Sequence, residues 1–155
     1  MTADLSALAE LLPGRSYRLH RPYEVSVEKI REFAAAVGET HPAFHEVEAA
    51  VRRGCSDVMA PPTFPIVIAF KVLQQLLADP ELAIDLRRVV HGEQRFVTVR
   101  PLCAGDVLEC TTSVETVRSL GGSLVLGTRS ELREVGSFTP VVTAHATLLI
   151  GSEVT

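Results

Sequence analysis

The residues best suited to chemistry lie close together. In Gly38-Glu39-Thr40-His41-Pro42-Ala43-Phe44-His45, one carboxylate and two imidazoles fall within seven residues. A carboxylate and an imidazole that converge on one water can act as a general acid–base pair, and a lone carboxylate can activate water for hydrolysis. Glu39, His41 and His45 are therefore the candidate catalytic residues. The simpler roles are capping or loop bonding for Glu39 and a surface or loop position for the two histidines. His91, in RVVHGEQRF, is a further imidazole and more simply bonds within its own loop; His20 and His145 read as structural. Cys55, Cys103 and Cys110 form no C-x-x-C pair. Their odd number and the lack of an export signal predict three buried, inert thiols rather than a disulfide framework.

Positioning such groups needs a scaffold, and its elements are legible in the residue patterns. The 155 residues, 46% of them hydrophobic, suit a single domain over 1–155 with a sizeable core. The net charge is −4 and the 15 basic residues are scattered, which argues against nucleic acid or an anionic membrane as partner. The opening segment has neither a signal-peptide pattern nor a spanning apolar run, so a cytoplasmic location is the expectation.

The first eighty or so residues read as helices and loops, and the last sixty as strands, an α+β order. Helical composition covers Asp4 to Leu12 and stops at Pro13-Gly14, and Tyr17 to Glu24 is extended. Ser26 is placed to cap a helix carrying Val27, Ile30, Phe33, Ala34 and Val37 at helical spacing, which Gly38 ends. A short helix over Glu46 to Arg53 ends at Gly54. In PPTFPIVIAFKVLQQLLADP, Thr63 can cap a helix with Pro65 in its first turn. Its apolar residues leave so little polar face that the helix is expected to be buried nearly all round. After Pro80 the period changes to two. Gln94 to Val99, Asp106 to Val117, Ser123 to Arg133 and Phe138 to Ile150 read as antiparallel strands, with a hairpin at Gly121-Gly122. A twisted antiparallel sheet wrapped around one long buried helix, the hot-dog arrangement, is what these elements can build. No phosphate-cradling glycine motif is present, so no nucleotide cofactor is expected, and no metal.

The stretch REFAAAVGETHPAFHEVEAAVRRGCSDVMAPPTF, with the later RVVHGEQRFVTVRPLCAGDVL, resembles the MaoC-like hydratase/dehydratase family. It is closest to the FAS1-like dehydratase N-terminal subgroup, which includes accessory subunits of actinobacterial (3R)-hydroxyacyl-ACP dehydratases. Active members carry glycine, aspartate, any residue, asparagine, proline, any residue, histidine, and later alanine, histidine, glycine. In that family the acid and imidazole hold one water against a 2-enoyl thioester, and a backbone N–H polarises the thioester carbonyl. Aligned without a gap, Glu39 takes the aspartate's place, His41 the asparagine's, and Phe44 the histidine's. Ala60 then matches the alanine, Pro61 the histidine, and Pro62 the glycine that supplies the N–H, which proline lacks.

The resemblance implies a subunit that holds an acyl-CoA or acyl-ACP thioester in a tunnel while a MaoC-like partner supplies the aspartate and histidine. Ala60, Pro62, Thr63, Phe64, Ile68 and Phe70 would lie along that tunnel. Gln94 would sit at its rim, if not simply on a strand face, and Arg52, Arg53, Arg87 and Arg88 are either solvated charges or cations for a phosphate at the mouth. An exposed sheet edge makes a homodimer, or a heterodimer with a MaoC-like subunit, the expected assembly. Three other readings are an autonomous enoyl-CoA hydratase using Glu39 and His45, an acyl-CoA thioesterase, and a non-catalytic module that binds an acyl ligand.

Overall fold

The computed structural model of the chain describes residues 4–151; residues 1–3 and 152–155, part of the span expected for the single domain, lie outside the described residues. Strands β3 (Val89–Thr98), β4 (Val107–Leu120), β5 (Ser123–Glu134) and β6 (Pro140–Gly151) follow from the period-two segments. Their alternation puts Leu108, Cys110, Thr112 and Val114 of β4, and Leu126, Thr128, Ser130 and Leu132 of β5, on a buried face. The buried hydroxyls of Thr112 and Ser130 satisfy each other across the pair at 2.7 Å. Gly121 and Gly122 turn the β4–β5 hairpin with φ of 57° and 77°, which side chains disfavour. The sheet runs β1-β4-β5-β6-β3, all antiparallel, where β1 is Ser16–Arg18; the short β2, Tyr23–Glu24, also pairs with β4. A bulge at His91–Glu93 interrupts the β3–β6 register.

Helix α1 (Leu5–Leu11) covers one end of the sheet, and α2 (Val27–Ala36) and α3 (Val47–Val51) form the overhang. Ser26 caps α2 by accepting from Lys29 N–H at 3.2 Å. Helix α4 (Pro65–Leu77) lies in the curl of the sheet. Its Ile68, Ala69 and Val72 pack with Leu108, Leu132, Val142 and Ala144, and its Leu73 and Leu76 with Val114, Leu124, Leu126 and Leu148. Fully burying such side chains contributes roughly 1.5–3 kcal/mol each, which makes this helix the main source of cohesion. This is the hot-dog fold.

Four details depart from the sequence expectations. Helix α4 begins with Phe64, not Thr63, in the cap position and has no side-chain cap, because Phe64 already has helical φ and ψ (−53°, −32°). It is also not buried all round: Phe70 is 41% exposed, and Lys71 and Gln74 are exposed beside it. Strand β3 starts at Val89, five residues ahead of Gln94, because its ladder with β6 continues past the bulge.

The fourth correction concerns the cysteines. Cys55 and Cys103 are joined in a disulfide across 48 residues, with Cα atoms 5.7 Å apart. An odd count and missing C-x-x-C spacing carry no information about which distant segments touch, and here the turn after α3 meets the loop before β4. In the chain-entropy description, closing a loop of this size contributes about 4 kcal/mol. Cys110 alone is a free, buried thiol, as expected for all three.

The end of α4 is pinned by a polar cluster. Tyr17 Oη donates to Asp79 Oδ2 at 2.6 Å, and Arg15 Nη1 bonds the same oxygen at 2.9 Å. The Tyr17 hydrogen bond, chiefly, holds the Asp79 carboxyl below the usual carboxylate range. A depressed carboxyl stabilises the fold above its unfolded pKa, and that contribution disappears as pH falls through the folded value. Tyr17→Phe is therefore expected to cost about 1.5–2 kcal/mol near neutrality and little at strongly acid pH, where Asp79 is protonated. Urea denaturation at the two pH values checks this; an equal loss at both would contradict it.

Candidate functional site

The segment from Gly38 to Thr63 contains the turn that would hold a catalytic pair. Gly38, with φ +74°, closes α2, and the chain enters a single 3-10 turn, Pro42–Phe44. His41 caps that turn: its Nδ1 accepts from Ala43 N–H at 3.1 Å, and its Nε2 lies 3.0 Å from an Arg53 guanidinium nitrogen. A backbone N–H and a guanidinium both donate, so the two contacts compete for the single lone pair of a neutral ring, and whichever takes it leaves none with which to serve as a base. His45 Nε2 lies 2.9 Å from the Glu39 carbonyl oxygen; since a carbonyl can only accept, this nitrogen carries the proton and Nδ1 is the basic one. His91 is held in the same way by the carbonyl of Glu93 at 3.1 Å.

The Glu39 carboxylate is exposed and bonds to no other group among the described residues. The loop thus brings the His45 ring to the backbone of Glu39, not to its carboxylate. Phe44 is 6% exposed and packs in a satellite core with Ala34, Ala43, Ala50, Cys55 and Met59. An apolar ring therefore fills the place that a histidine takes in active MaoC-like signatures.

The segment Met59–Pro65 forms one wall of a cavity of about 320 Å³; the other wall is Thr98–Leu102, with Val142 at the base. Ala60 N–H donates to Leu102 carbonyl at 2.8 Å and Ala104 N–H to Val58 carbonyl at 2.9 Å, so the walls are stitched by backbone bonds. The lining is largely apolar. Arg100, at its rim, is held by Asp106 at 2.8 Å and by Glu134. Three of the five residues from Pro61 to Pro65 are prolines without an N–H, and the Phe64 N–H is spent on the Pro61 carbonyl at 2.9 Å. Thr63, exposed at the helix entrance, carries the one N–H in this stretch with no acceptor among the described residues.

A second apolar cavity of about 430 Å³ lies between the far half of α4 and the start of β3, against Phe70, Leu73, Leu77, Leu86, Val89 and Leu148. Helix α4 and β3 therefore border both cavities. Of the residues proposed to line a tunnel, Ala60 and Pro62 border the first cavity and Phe70 the second. Phe64 and Ile68 are fully buried in the main core. Gln94 is half-buried in β3, between the stretches that border the two cavities. Glu39, His41 and His45 border neither. Periodicity alone could not have marked Met59, Pro65 or the Thr98–Leu102 wall; the alignment of APPTF with a helix entrance was the available signal. Among the described residues no group of three or more His, Cys, Asp and Glu is placed to hold a metal, and no helix is long and apolar enough to cross a membrane.

A curled antiparallel sheet around an apolar helix, with an overhang leading through a proline-rich helix entrance, defines a hot-dog domain of the dehydratase type. Known proteins carry the same pattern. Residues 12–136 match the FAS1-like dehydratase domain region, and the chain belongs to that family. It is 51% identical over 139 residues to a UPF0336 protein of Leifsonia xyli, covering 90% of this chain and 93% of the relative. The HadBC (3R-hydroxyacyl-ACP dehydratase) complex from Mycobacterium tuberculosis contains a chain 30% identical to it, with a TM-score of 0.79 over 96% of this chain and 99% of that one. A MaoC-like dehydratase superposes with a TM-score of 0.84 at 27% identity, over 93% of this chain and 43% of that larger one.

Proposed function

We propose that this chain is the acyl-thioester-binding subunit of a (3R)-hydroxyacyl-thioester dehydratase, and that a MaoC-like hot-dog subunit docked on it supplies the aspartate and histidine. The observation that carries this reading is the pairing of Phe44, buried where the histidine belongs, with the helix entrance Pro61–Pro65, where prolines remove the N–H donors. An oxyanion donor contributes about 3 kcal/mol to such reactions, and only Thr63 N–H is left to provide one. Glu39 and His45 would then hold the loop rather than move protons.

The two cavities along α4 and β3 suit an apolar chain, whose binding scales with the area it buries. The β3 edge, unpaired among the described residues, with exposed Val90 and Val97 and with Val99 just past its end, is the natural seat of the second hot-dog subunit. The heteromeric composition of the M. tuberculosis complex supports this assembly.

The test is hydration of a 2-enoyl-CoA by the purified chain, by a MaoC-like subunit from the same genome, and by the two co-expressed. Background activity from the chain alone and a gain for the complex over the partner alone are expected. Turnover by the isolated chain at a rate typical of enoyl hydratases would overturn the reading.

A further inference from the structure

The Cys55–Cys103 bridge sits where the overhang meets the sheet. Cys55 is 4% exposed and packs in the satellite core with Phe44 and Met59, whereas Cys103 is half-buried at the surface side of the bond. Gly54, with φ +91°, immediately precedes Cys55 and gives the chain a pivot there. The two walls of the 320 Å³ cavity end at this bond: Met59 begins one wall four residues after Cys55, and Leu102 ends the other one residue before Cys103. Met59 and Cys103 also form an isolated antiparallel bridge, so the sulfurs and the stitched wall backbones are one unit. Apart from the disulfide, the polar ties between the overhang turn, the 57–60 segment and the loop before β4 are few: Met59 N–H to Ala43 carbonyl, Ala60 N–H to Leu102 carbonyl, and Ala104 N–H to Val58 carbonyl.

From this arrangement we infer that Cys55–Cys103 is a thiol–disulfide exchange site, and that its redox state sets how firmly the overhang clamps the cavity. The reductant is a cellular dithiol. Its thiolate attacks Sγ of Cys103, the more accessible sulfur; the S–S bond breaks, and its electron pair leaves on Cys55 Sγ, which takes up a proton. The second thiol of the reductant resolves the mixed disulfide and releases Cys103 as a thiol. The protein gains two electrons and two protons, and the dithiol becomes a disulfide. Cys110 takes no part, since burial, chiefly, pushes its thiol up to about 12 and leaves it without thiolate near neutrality. Once the bond is open, no covalent tie joins the wall Met59–Pro65 to its counterpart; backbone hydrogen bonds and the apolar packing of Met59, Ala60 and Phe64 hold it, and the overhang can pivot at Gly54. The consequence for ligand binding rests on the acyl-binding reading above; the loosening of the overhang does not.

The experiment combines thiol alkylation, hydrogen exchange and binding of decanoyl-CoA, each with and without dithiothreitol. Native oxidised protein is expected to alkylate at no cysteine, and reduced protein at Cys55 and Cys103. Exchange in peptides covering 42–58 and 99–106 should rise at least tenfold on reduction, and decanoyl-CoA should bind at least fivefold more weakly. A Cys55→Ser/Cys103→Ser variant should match the reduced protein and lose its response to dithiothreitol. Exchange over 42–58 that is unchanged on reduction overturns the clamp, as does a double variant that still responds. If exchange rises but decanoyl-CoA binds in neither state, the clamp stands and the acyl-binding reading fails.

Discussion

Phe70→Glu is expected to weaken association with the proposed hot-dog partner about 100- to 1,000-fold while lowering the stability of the isolated chain by no more than about 1.5 kcal/mol. Phe70 projects from the one face of α4 that the sheet leaves open, at 41% exposure. Leu86, 60% exposed, and Val89 border the same cavity as Phe70, and Val90 and Val97 are exposed on the neighbouring strand β3. An aromatic side chain in the centre of an apolar face is the residue type that carries most of an interface's energy, typically 2 kcal/mol or more. Burying a carboxylate in its place adds an unpaired charge. In the isolated chain the same carboxylate stays in water, so folding loses only the contacts of the buried part of the ring. Sedimentation of the mixed subunits and thermal unfolding of the isolated chain separate the two effects. Undiminished association would mean that this face of α4 is not where the partner sits.

Phe64→Ala is expected to lower the free energy of unfolding by about 3–5 kcal/mol. Phe64 is fully buried at the entrance to α4, and its ring meets Phe33 of α2 edge-on at 5.5 Å between centroids. Removing it opens a void where helix, overhang and sheet meet, and the prolines at 61, 62 and 65 limit the backbone's freedom to collapse into it. Denaturant titration measures the loss. A value below about 1.5 kcal/mol would show that the overhang repacks freely, and would weaken the case for a preformed cavity behind it.

Much of the scaffold was readable because the sheet and α4 are driven by pattern. Period-two burial in β4 and β5 and the glycine pair at 121–122 placed those strands to within three residues at each end. Ser26 caps α2 as its type suggested. Features decided by distant contacts were not readable. Nothing local to Cys55 marks Cys103, 48 residues on, as its neighbour. The early start of β3 depends on a ladder with β6, and the open face of α4, where Phe70 stands beside Lys71 and Gln74, depends on how far the sheet curls around the helix. At the site, residue types identified Glu39, His41 and His45 as able to do chemistry, but not where their rings point. That direction comes from the turn Pro42–Phe44, which ties His41 to Ala43 and His45 to the Glu39 carbonyl.

The irregular step at His91–Glu93 has a further effect on how this protein associates. It rotates Val89 and Val90 out of line with Glu93–Thr98, so the free margin of the sheet offers an incoming strand a straight run of six residues rather than ten. A short, interrupted margin is a poorer template for end-to-end recruitment of further copies into fibrils, the hazard of any long unprotected β margin, and here one misplaced residue supplies the interruption.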